Sequence, residues 1–161
     1  MEVRKLSRSE LKKLEGNYVF HGSPTLFEEA MPHQATDYGN NPDNEHFAIY
    51  GSMELDFSII FAFEKLPKAR NHWRVVHVGG KRVGNKYVGG RCVGELDKNT
   101  HIAEDAKGYL YCFDKKHFQP TTEGGRQYVC KYPVAPEIVS EVEYKDYMDL
   151  FEVVDFTKDY M

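Results

Sequence analysis

Residues 18–24 read YVFHGSP, and this stretch decides how the rest of the chain is interpreted. Its first three residues favour a strand, whereas Gly22 and Pro24 end a strand and open a turn. The pattern therefore places His21 at a strand end, with its imidazole and the unobstructed Gly22 amide facing one cavity. Imidazole can bond a ribose hydroxyl, and glycine lets the main chain approach a planar amide. A histidine at a turn is more often structural, so the tripeptide alone leaves both interpretations open.

Strands predominate on either side of this stretch. Ser7 and Glu10 have the spacing of a capping box, which predicts a short helix ending at Gly16. Further strands are predicted over residues 47–50, 73–78, 109–113, 126–130 and 138–142, and a hairpin is predicted over residues 79–94. Helices are predicted over residues 53–63 and 144–150, and a long surface loop is predicted over residues 31–46. Gly51 and Ser52 are interpreted as a turn. Because helices are few and do not alternate strictly with strands, we expect one α+β domain over residues 1–161 with antiparallel sheets.

Composition narrows the class of protein. A length of 161 residues fits one domain, and 14% aromatic residues must build much of the core or a binding surface. The net charge of −4 has no global signature of nucleic-acid or anionic-membrane binding, although local patches are allowed. Without a membrane-spanning apolar run or a secretory core, we expect a cytoplasmic protein with no membrane partner. Three cysteines without a Cys-x-x-Cys pair are expected to be reduced and structural, with no metal bound.

Familiar catalytic motifs are missing from the sequence. The glycine-rich stretch over residues 79–94 has neither the spacing of a P-loop nor that of a dinucleotide-binding turn. A His-Glu-x-x-His helix and a Gly-x-Ser-x-Gly elbow are absent too, which argues against zinc proteolysis and serine hydrolysis by those routes.

A second informative stretch is residues 48–52, which read AIYGS. The predicted helix that follows places Ser58 and Phe61 at i and i+3, on one face. Tyr50 and Phe61 could sandwich a flat heteroaromatic ring, an interaction worth about 1–3 kcal/mol per aromatic platform. Ordinary packing of a helix on a sheet predicts the same pattern, so these residues alone do not distinguish the two.

Together these stretches resemble the ADP-ribosyltransferase superfamily, in particular its His-Tyr-Glu branch, typified by diphtheria toxin and the poly(ADP-ribose) polymerases. In that family a strand with His-Gly-Ser or His-Gly-Thr precedes a strand of the type Gly-Ile-Tyr-Phe-Ala and a helix that carries Ser and then Tyr. The resemblance covers residues 18–142 in pattern and only the motif residues specifically. It implies a split antiparallel β-sandwich with a few flanking helices.

The resemblance also implies roles in binding NAD as a substrate. His21 would hold the adenine-side ribose, and Gly22 and Ser58 would hold the nicotinamide amide. Tyr50 and Phe61 would stack on the nicotinamide ring. The full set of predicted substrate-binding residues is His21, Gly22, Ser23, Ser52, Ser58 and Phe61.

The chain departs from the family at the catalytic glutamate, where Gln127 stands at the matching position. A carboxylate there would orient a ribose 2′-hydroxyl or activate the acceptor, and would stabilise positive charge on the ribose carbon as nicotinamide leaves. Glutamine can orient but cannot neutralise charge, so polymer extension is not expected. Transfer then needs a carboxylate from elsewhere. The predicted catalytic set is Tyr50, Gln127, Asp37 and Glu123, with Asp43 and Glu45 as further candidates.

Three functions remain open at this point. The first is NAD-dependent mono-ADP-ribosyl transfer to protein or nucleic acid, in the style of toxins or phage-defence proteins. The second is a DNA N-glycosylase that needs no cofactor and stacks an excised base. The third is a catalytically inactive nucleotide-binding module. Binding of DNA or RNA as a partner requires a rim of basic residues around the site. The sequence offers candidates for that rim in Lys65, Lys68, Arg70, Arg74, Lys81, Arg82, Lys86 and Arg91.

Overall fold

The structure is a computed structural model that describes residues 1–34, 47–67, 72–84, 86–121 and 127–157. Two α-helices lie in these ranges, α1 (Arg8–Lys12) and α2 (Leu55–Ile60), with 3₁₀ helices at Lys115–His117, Tyr144–Asp146 and Met148–Leu150. The strands are β1 (Val3–Arg4), β2 (Tyr18–Ser23), β3 (His33–Gln34), β4 (Phe47–Ser52), β5 (Trp73–Val78), β6 (Lys81–Val83), β7 (Lys86–Val88), β8 (Arg91–Asp97), β9 (Lys107–Asp114), β10 (Gln119–Pro120), β11 (Gln127–Cys130), β12 (Ile138–Glu143) and β13 (Phe151–Val154).

The strands form three sheets. The largest has eight strands in the order β1-β12-β9-β2-β4-β11-β10, with β3 added to β4. A three-stranded sheet has the order β13-β8-β5, and β6 pairs with β7 in a hairpin. Pairing is antiparallel except between β1 and β12 and between β13 and β8. The expected α+β class with mostly antiparallel sheets is therefore confirmed. Within the described ranges, no helix has the length and apolar character needed to cross a bilayer.

The large sheet is buried on both faces because its strands alternate between two hydrophobic clusters. In β2, Val19 belongs to one cluster and Phe20 to the other, and Tyr111 and Cys112 of β9 divide in the same way. One cluster also includes α2 and residues of the three-stranded sheet, such as Leu96. The helix α2 is thus packed between the two sheets, directly beside the predicted site residues of β2.

The first helix forms as the capping box predicts. The Ser7 side chain accepts a hydrogen bond from the Glu10 backbone N–H at 3.1 Å, and the Glu10 carboxylate accepts one from the Ser7 N–H at 3.0 Å. Leu11 is fully buried and fixes the helix against the core. The helix ends at Lys12, earlier than the predicted Gly16, where the positive φ of +92° marks the turn into β2.

Replacing Ser7 with alanine is expected to lower the free energy of unfolding by about 1 kcal/mol, because the Glu10 backbone N–H loses the Ser7 hydroxyl that accepts from it. Urea denaturation of the Ser7→Ala variant measures the change. Ser9→Ala is the matched control, since Ser9 is exposed inside α1 and alanine is a good helix former. A loss no larger in Ser7→Ala than in Ser9→Ala would contradict the capping role.

Several predicted boundaries were wrong. Strand β2 continues through Gly22 to Ser23, and the predicted turn at Gly51 and Ser52 is the end of β4. Helix α2 is shorter than residues 53–63, and the predicted helix over 144–150 is two 3₁₀ turns followed by the unpredicted strand β13. The predicted loop over 31–46 contains β3, and its remainder from residue 35 lies outside the described residues.

Candidate functional site

The predicted site residues lie where β2 and β4 separate. Strand β2 pairs with β9 along all six of its residues, from Tyr18 to Ser23, but with β4 only at the pair Phe20–Ser52. Beyond that pair, the β4-facing edge of β2 at residues 21–23 has no ladder partner among the described strands. The site is therefore a fork between two strands of the large sheet.

His21 bridges this fork through its side chain. Its Nδ1 lies 2.6 Å from the Tyr50 carbonyl oxygen on β4. Because a carbonyl can only accept, Nδ1 carries the proton, and Nε2 of the neutral ring is left as an acceptor. Burial lowers the pKa of His21, although the Tyr50 carbonyl opposes that effect in part. The imidazole is therefore neutral at physiological pH.

An aromatic wall lies behind His21, and the sequence had not indicated it. Phe27 stacks on Tyr111 with ring centroids 3.9 Å apart, and both rings lie about 6 Å from the imidazole, at 6.0 and 6.1 Å. The Tyr111 hydroxyl accepts from the Phe27 N–H and donates to the Thr25 carbonyl, which ties the segment after β2 to β9. Ser23 contributes to the same turn by accepting from the Thr25 N–H at 3.1 Å.

Gly22 is required by the packing of α2. A Cβ atom at this position would lie 2.0 Å from the Ser58 carbonyl oxygen and 3.0 Å from the Ala62 nitrogen, so only glycine fits. The buried Ser58 hydroxyl donates to the Phe20 carbonyl at 3.1 Å and joins α2 to β2. Gly22 and Ser58 are thus neighbours, as the resemblance implies, while their contact with a ligand stays a prediction.

Ser52 and Gln127 form a directly opposed pair on β4 and β11. Ser52 is fully buried, and its hydroxyl accepts from the Glu54 N–H at 3.1 Å, which anchors the start of α2. The Gln127 Oε1 atom is buried, and no described residue hydrogen-bonds it. A buried amide oxygen without a donor costs about 1–3 kcal/mol, which makes Gln127 an acceptor that a ligand could satisfy.

Phe61 caps the end of α2 and is 37% exposed. Its ring packs against Phe57 at 5.4 Å and edge-on against Trp73 at 5.2 Å. Phe61 precedes Ala62, whose nitrogen lies against Gly22, so its backbone borders the fork. The predicted sandwich of a ligand ring between Tyr50 and Phe61 stays a prediction.

The predicted basic rim is only partly described, and one of its members is not on the surface. Lys65 is buried, which corrects its interpretation as a rim residue. Arg74 pairs with Glu95 at 2.7 Å, and Arg91 pairs with Glu152 at 3.1 Å. Other predicted residues lie outside the described part of the chain. Among the rim residues these are Lys68, Arg70 and the side chains of Arg82 and Lys86, and among the candidate carboxylates they are Asp37, Asp43, Glu45 and Glu123.

Three potential metal ligands are not among the predicted site residues. Glu54, His77 and Cys92 each place one ligand atom within 4.8 Å of the others. Cys92, Cys112 and Cys130 are buried and reduced, as expected from the sequence. Glu54 follows Ser52 by two residues, so the trio begins next to the fork and extends to β5 and β8.

Comparisons of this chain with models of protein families, with curated proteins and with solved structures found no match.

Proposed function

We propose that this chain binds NAD at the fork between β2 and β4 and transfers mono-ADP-ribose to a protein acceptor. The proposal includes an ADP-ribosyltransferase-like split sandwich as its fold. Its support is the order and spacing of the motif residues, together with their meeting at one fork. His21 bonds the backbone of Tyr50, Ser58 lies against Gly22, and Ser52 faces Gln127.

The observation that carries the proposal is the neutral His21 at the fork. Because its Nδ1 bonds the Tyr50 carbonyl, Nε2 is left as an acceptor for a hydroxyl of the adenine-side ribose. Gln127 offers a second acceptor that no described residue bonds. Its pairing with Ser52, which pairs with Phe20, places Gln127 on the α2 face of the sheet, whereas His21 contacts Phe27 and Tyr111 on the opposite face. The role of Gln127 at the 2′-hydroxyl of the other ribose therefore rests on the resemblance alone.

The proposed reaction breaks the bond between the ribose carbon and the nicotinamide nitrogen. The electron pair leaves with nicotinamide, the ribose carbon becomes oxocarbenium-like, and a nucleophile of the acceptor attacks it and loses its proton. Gln127 orients the 2′-hydroxyl but adds no negative charge. Asp37 or Glu123 would supply the carboxylate that stabilises the cation.

A protein acceptor is favoured over nucleic acid by the partners of the basic residues. Of the four predicted rim residues whose side chains the structure describes, Lys65 is buried, Arg74 and Arg91 are paired with glutamates, and Lys81 is exposed. Phosphate binding needs Lys and Arg charges that are exposed and not already neutralised. The same observation weakens the support for a DNA N-glycosylase.

A second candidate is a nucleotide-binding module without catalysis, and Gln127 is the observation that favours it. An amide at this position keeps the hydrogen bond to a ribose hydroxyl and lacks the charge that the bond cleavage uses. This candidate shares the fork and the ligand, and differs only in whether nicotinamide is released.

Nicotinamide release distinguishes the two functions. We expect the purified chain incubated with NAD to release nicotinamide, and mass spectrometry to find ADP-ribose on a protein in the mixture. The His21→Ala variant should release it about tenfold more slowly, because the loss of one ligand hydrogen bond is worth about 1.4 kcal/mol. His101→Ala, which changes an exposed histidine, is the control and should behave as the wild type.

NAD binding without nicotinamide release would favour the binding module. If the chain neither binds NAD nor releases nicotinamide, both functions are contradicted. Free base released from duplex DNA would favour the glycosylase. An equal rate in His21→Ala and the wild type would contradict the assigned role of His21.

A further inference from the structure

We propose that Glu54, His77 and Cys92 form a binding site for a zinc-like divalent transition-metal ion. The three residues come from three elements that the fold brings together. His77 on β5 and Cys92 on β8 are directly opposed in an antiparallel pair, and Glu54 immediately precedes α2. One ligand atom of each lies within 4.8 Å of the other two. The site is independent of the proposed ADP-ribosyl transfer.

The spacing fits a tetrahedral ion. Zinc binds sulfur at about 2.3 Å and nitrogen or oxygen at about 2.0–2.2 Å, so tetrahedral ligand atoms are about 3.2–3.7 Å apart. The Glu54 Oε2 atom accepts a hydrogen bond from the Cys92 thiol at 3.2 Å. A sulfur–oxygen pair on a tetrahedral zinc is about 3.5–3.7 Å apart, so these two side chains already meet and would separate slightly when the ion replaces the proton. The remaining separations, all below 4.8 Å, would shorten by side-chain rotation. Three protein ligands leave the fourth position for water.

The orientation of Glu54 is the second observation. Glu54 occupies the N-cap of α2, but its side chain makes no capping bond within the described chain. Instead, the Glu15 carboxylate accepts from the Leu55 N–H at 2.8 Å and caps the helix from the segment after α1. The Glu54 backbone N–H is held by Ser52. Glu54 is thereby fixed at its backbone and its carboxylate is directed to Cys92.

Space for the imidazole is provided by Gly80. A Cβ atom there would lie 3.1 Å from Nδ1 and 3.3 Å from Cε1 of His77, and 2.9 Å from the Gly89 carbonyl oxygen. A side chain at position 80 would clash with the imidazole, so glycine leaves the room that the ring needs opposite Cys92.

The donor set and its charge favour zinc over other ions. Thiolate, imidazole and carboxylate together are typical of zinc and its neighbours in the transition series, whereas calcium and magnesium prefer oxygen alone. When the ion binds, the Cys92 thiol releases its proton and the sulfur forms the metal bond. The two negative ligands then balance the two positive charges of the ion. Cys92 is only 4% exposed, so a neutral site suits its surroundings better than an uncompensated thiolate.

Metal binding by the full chain tests this proposal. The protein is stripped with a chelator and dialysed with Zn²⁺, and the retained metal is measured by mass spectrometry. We expect one zinc per chain, and Co²⁺ in its place should produce a tetrahedral spectrum with a thiolate charge-transfer band. The Cys92→Ser and His77→Ala variants should lose more than about 100-fold in affinity, because even changes outside the ligand set cost about 10–100-fold.

Cys130→Ser is the matched control, since that buried thiol contacts the Tyr132 carbonyl, which a serine hydroxyl can also bond. It should bind zinc as the wild type does. No retained zinc in the wild type, or full binding by Cys92→Ser, would overturn the proposal. If Cys92→Ser does not fold, the cobalt spectrum of the wild type decides: a thiolate band that His77→Ala lacks supports the site, and the absence of the band in the wild type overturns it.

Discussion

Replacing Gly22 with alanine is expected to lower the free energy of unfolding by more than about 3 kcal/mol, at the upper end of the range for overpacked cores. The added methyl group would lie 2.0 Å from the Ser58 carbonyl oxygen, far inside van der Waals contact. The obstructing atoms belong to the backbone of α2, and they cannot rotate aside as a side chain could. Relief requires α2 to move away from β2, which opens the cluster around Phe20 and Ile59.

Urea denaturation and the thermal midpoint of Gly22→Ala measure this loss. Gly84→Ala is the control, because a methyl group added at Gly84 would have nothing within 4 Å of it and only the φ of +61° opposes alanine. That conformational cost is about 1 kcal/mol. If Gly22→Ala is no less stable than Gly84→Ala, α2 does not rest on β2 as described.

Gly22 also explains how far the sequence can predict the site. The pattern around residues 18–24 predicted strand β2, because strand propensity depends on neighbours in sequence, but it placed the strand end at His21, whereas β2 continues to Ser23. It did not predict that α2 requires the glycine, since Ser58 lies 36 positions further along the chain. A glycine at position 22 is therefore compatible with a closely bound ligand and with a closely packed helix. Only the three-dimensional contact with Ser58 shows that the helix requires it.

Hydrophobic periodicity in the sequence could not predict which distant strands pair with each other. The pair of Ser52 and Gln127 and the pair of His77 and Cys92 both join segments far apart in sequence or separated by a hairpin. Strand β13 was missed because Phe151–Val154 is short and half exposed, so it lacks the alternation of a buried strand. Registers of this kind are set by tertiary packing, which local propensity does not encode.

Lys65 is the clearest case in which charge in the sequence was misleading. Its position among other basic residues predicted an exposed rim, yet the side chain is 7% exposed. The ammonium group lies 4.0 Å from the centroid of the Trp73 ring and bonds the Ile60 carbonyl at the end of α2. Burial lowers the pKa of Lys65 from 10.5 to about 7. The apolar environment therefore disfavours the charged form relative to its stability in water.

This burial makes stability depend on pH in a defined direction. In the unfolded chain Lys65 binds its proton up to a pKa near 10.5, while in the fold it releases the proton near pH 7. Between those values the unfolded state holds more protons, so stability from this group rises with pH. Below pH 7 both states are protonated and the destabilising effect of the buried charge is fully present. Above 10.5 both are neutral and that effect has disappeared.

Lys65→Met is therefore expected to stabilise the protein by about 1–3 kcal/mol at pH 6, because methionine fills a similar volume without a charge to desolvate. The gain should shrink as pH rises from 7 toward 10.5. Urea denaturation of both proteins at pH 6, 8 and 9.5 measures the difference, in which other titrating groups cancel. Lys131→Met changes an exposed lysine and should show no such trend. A variant that is less stable than the wild type by the same amount at pH 6, 8 and 9.5 would mean that Trp73 and the Ile60 carbonyl hold the charged form more strongly than burial opposes it.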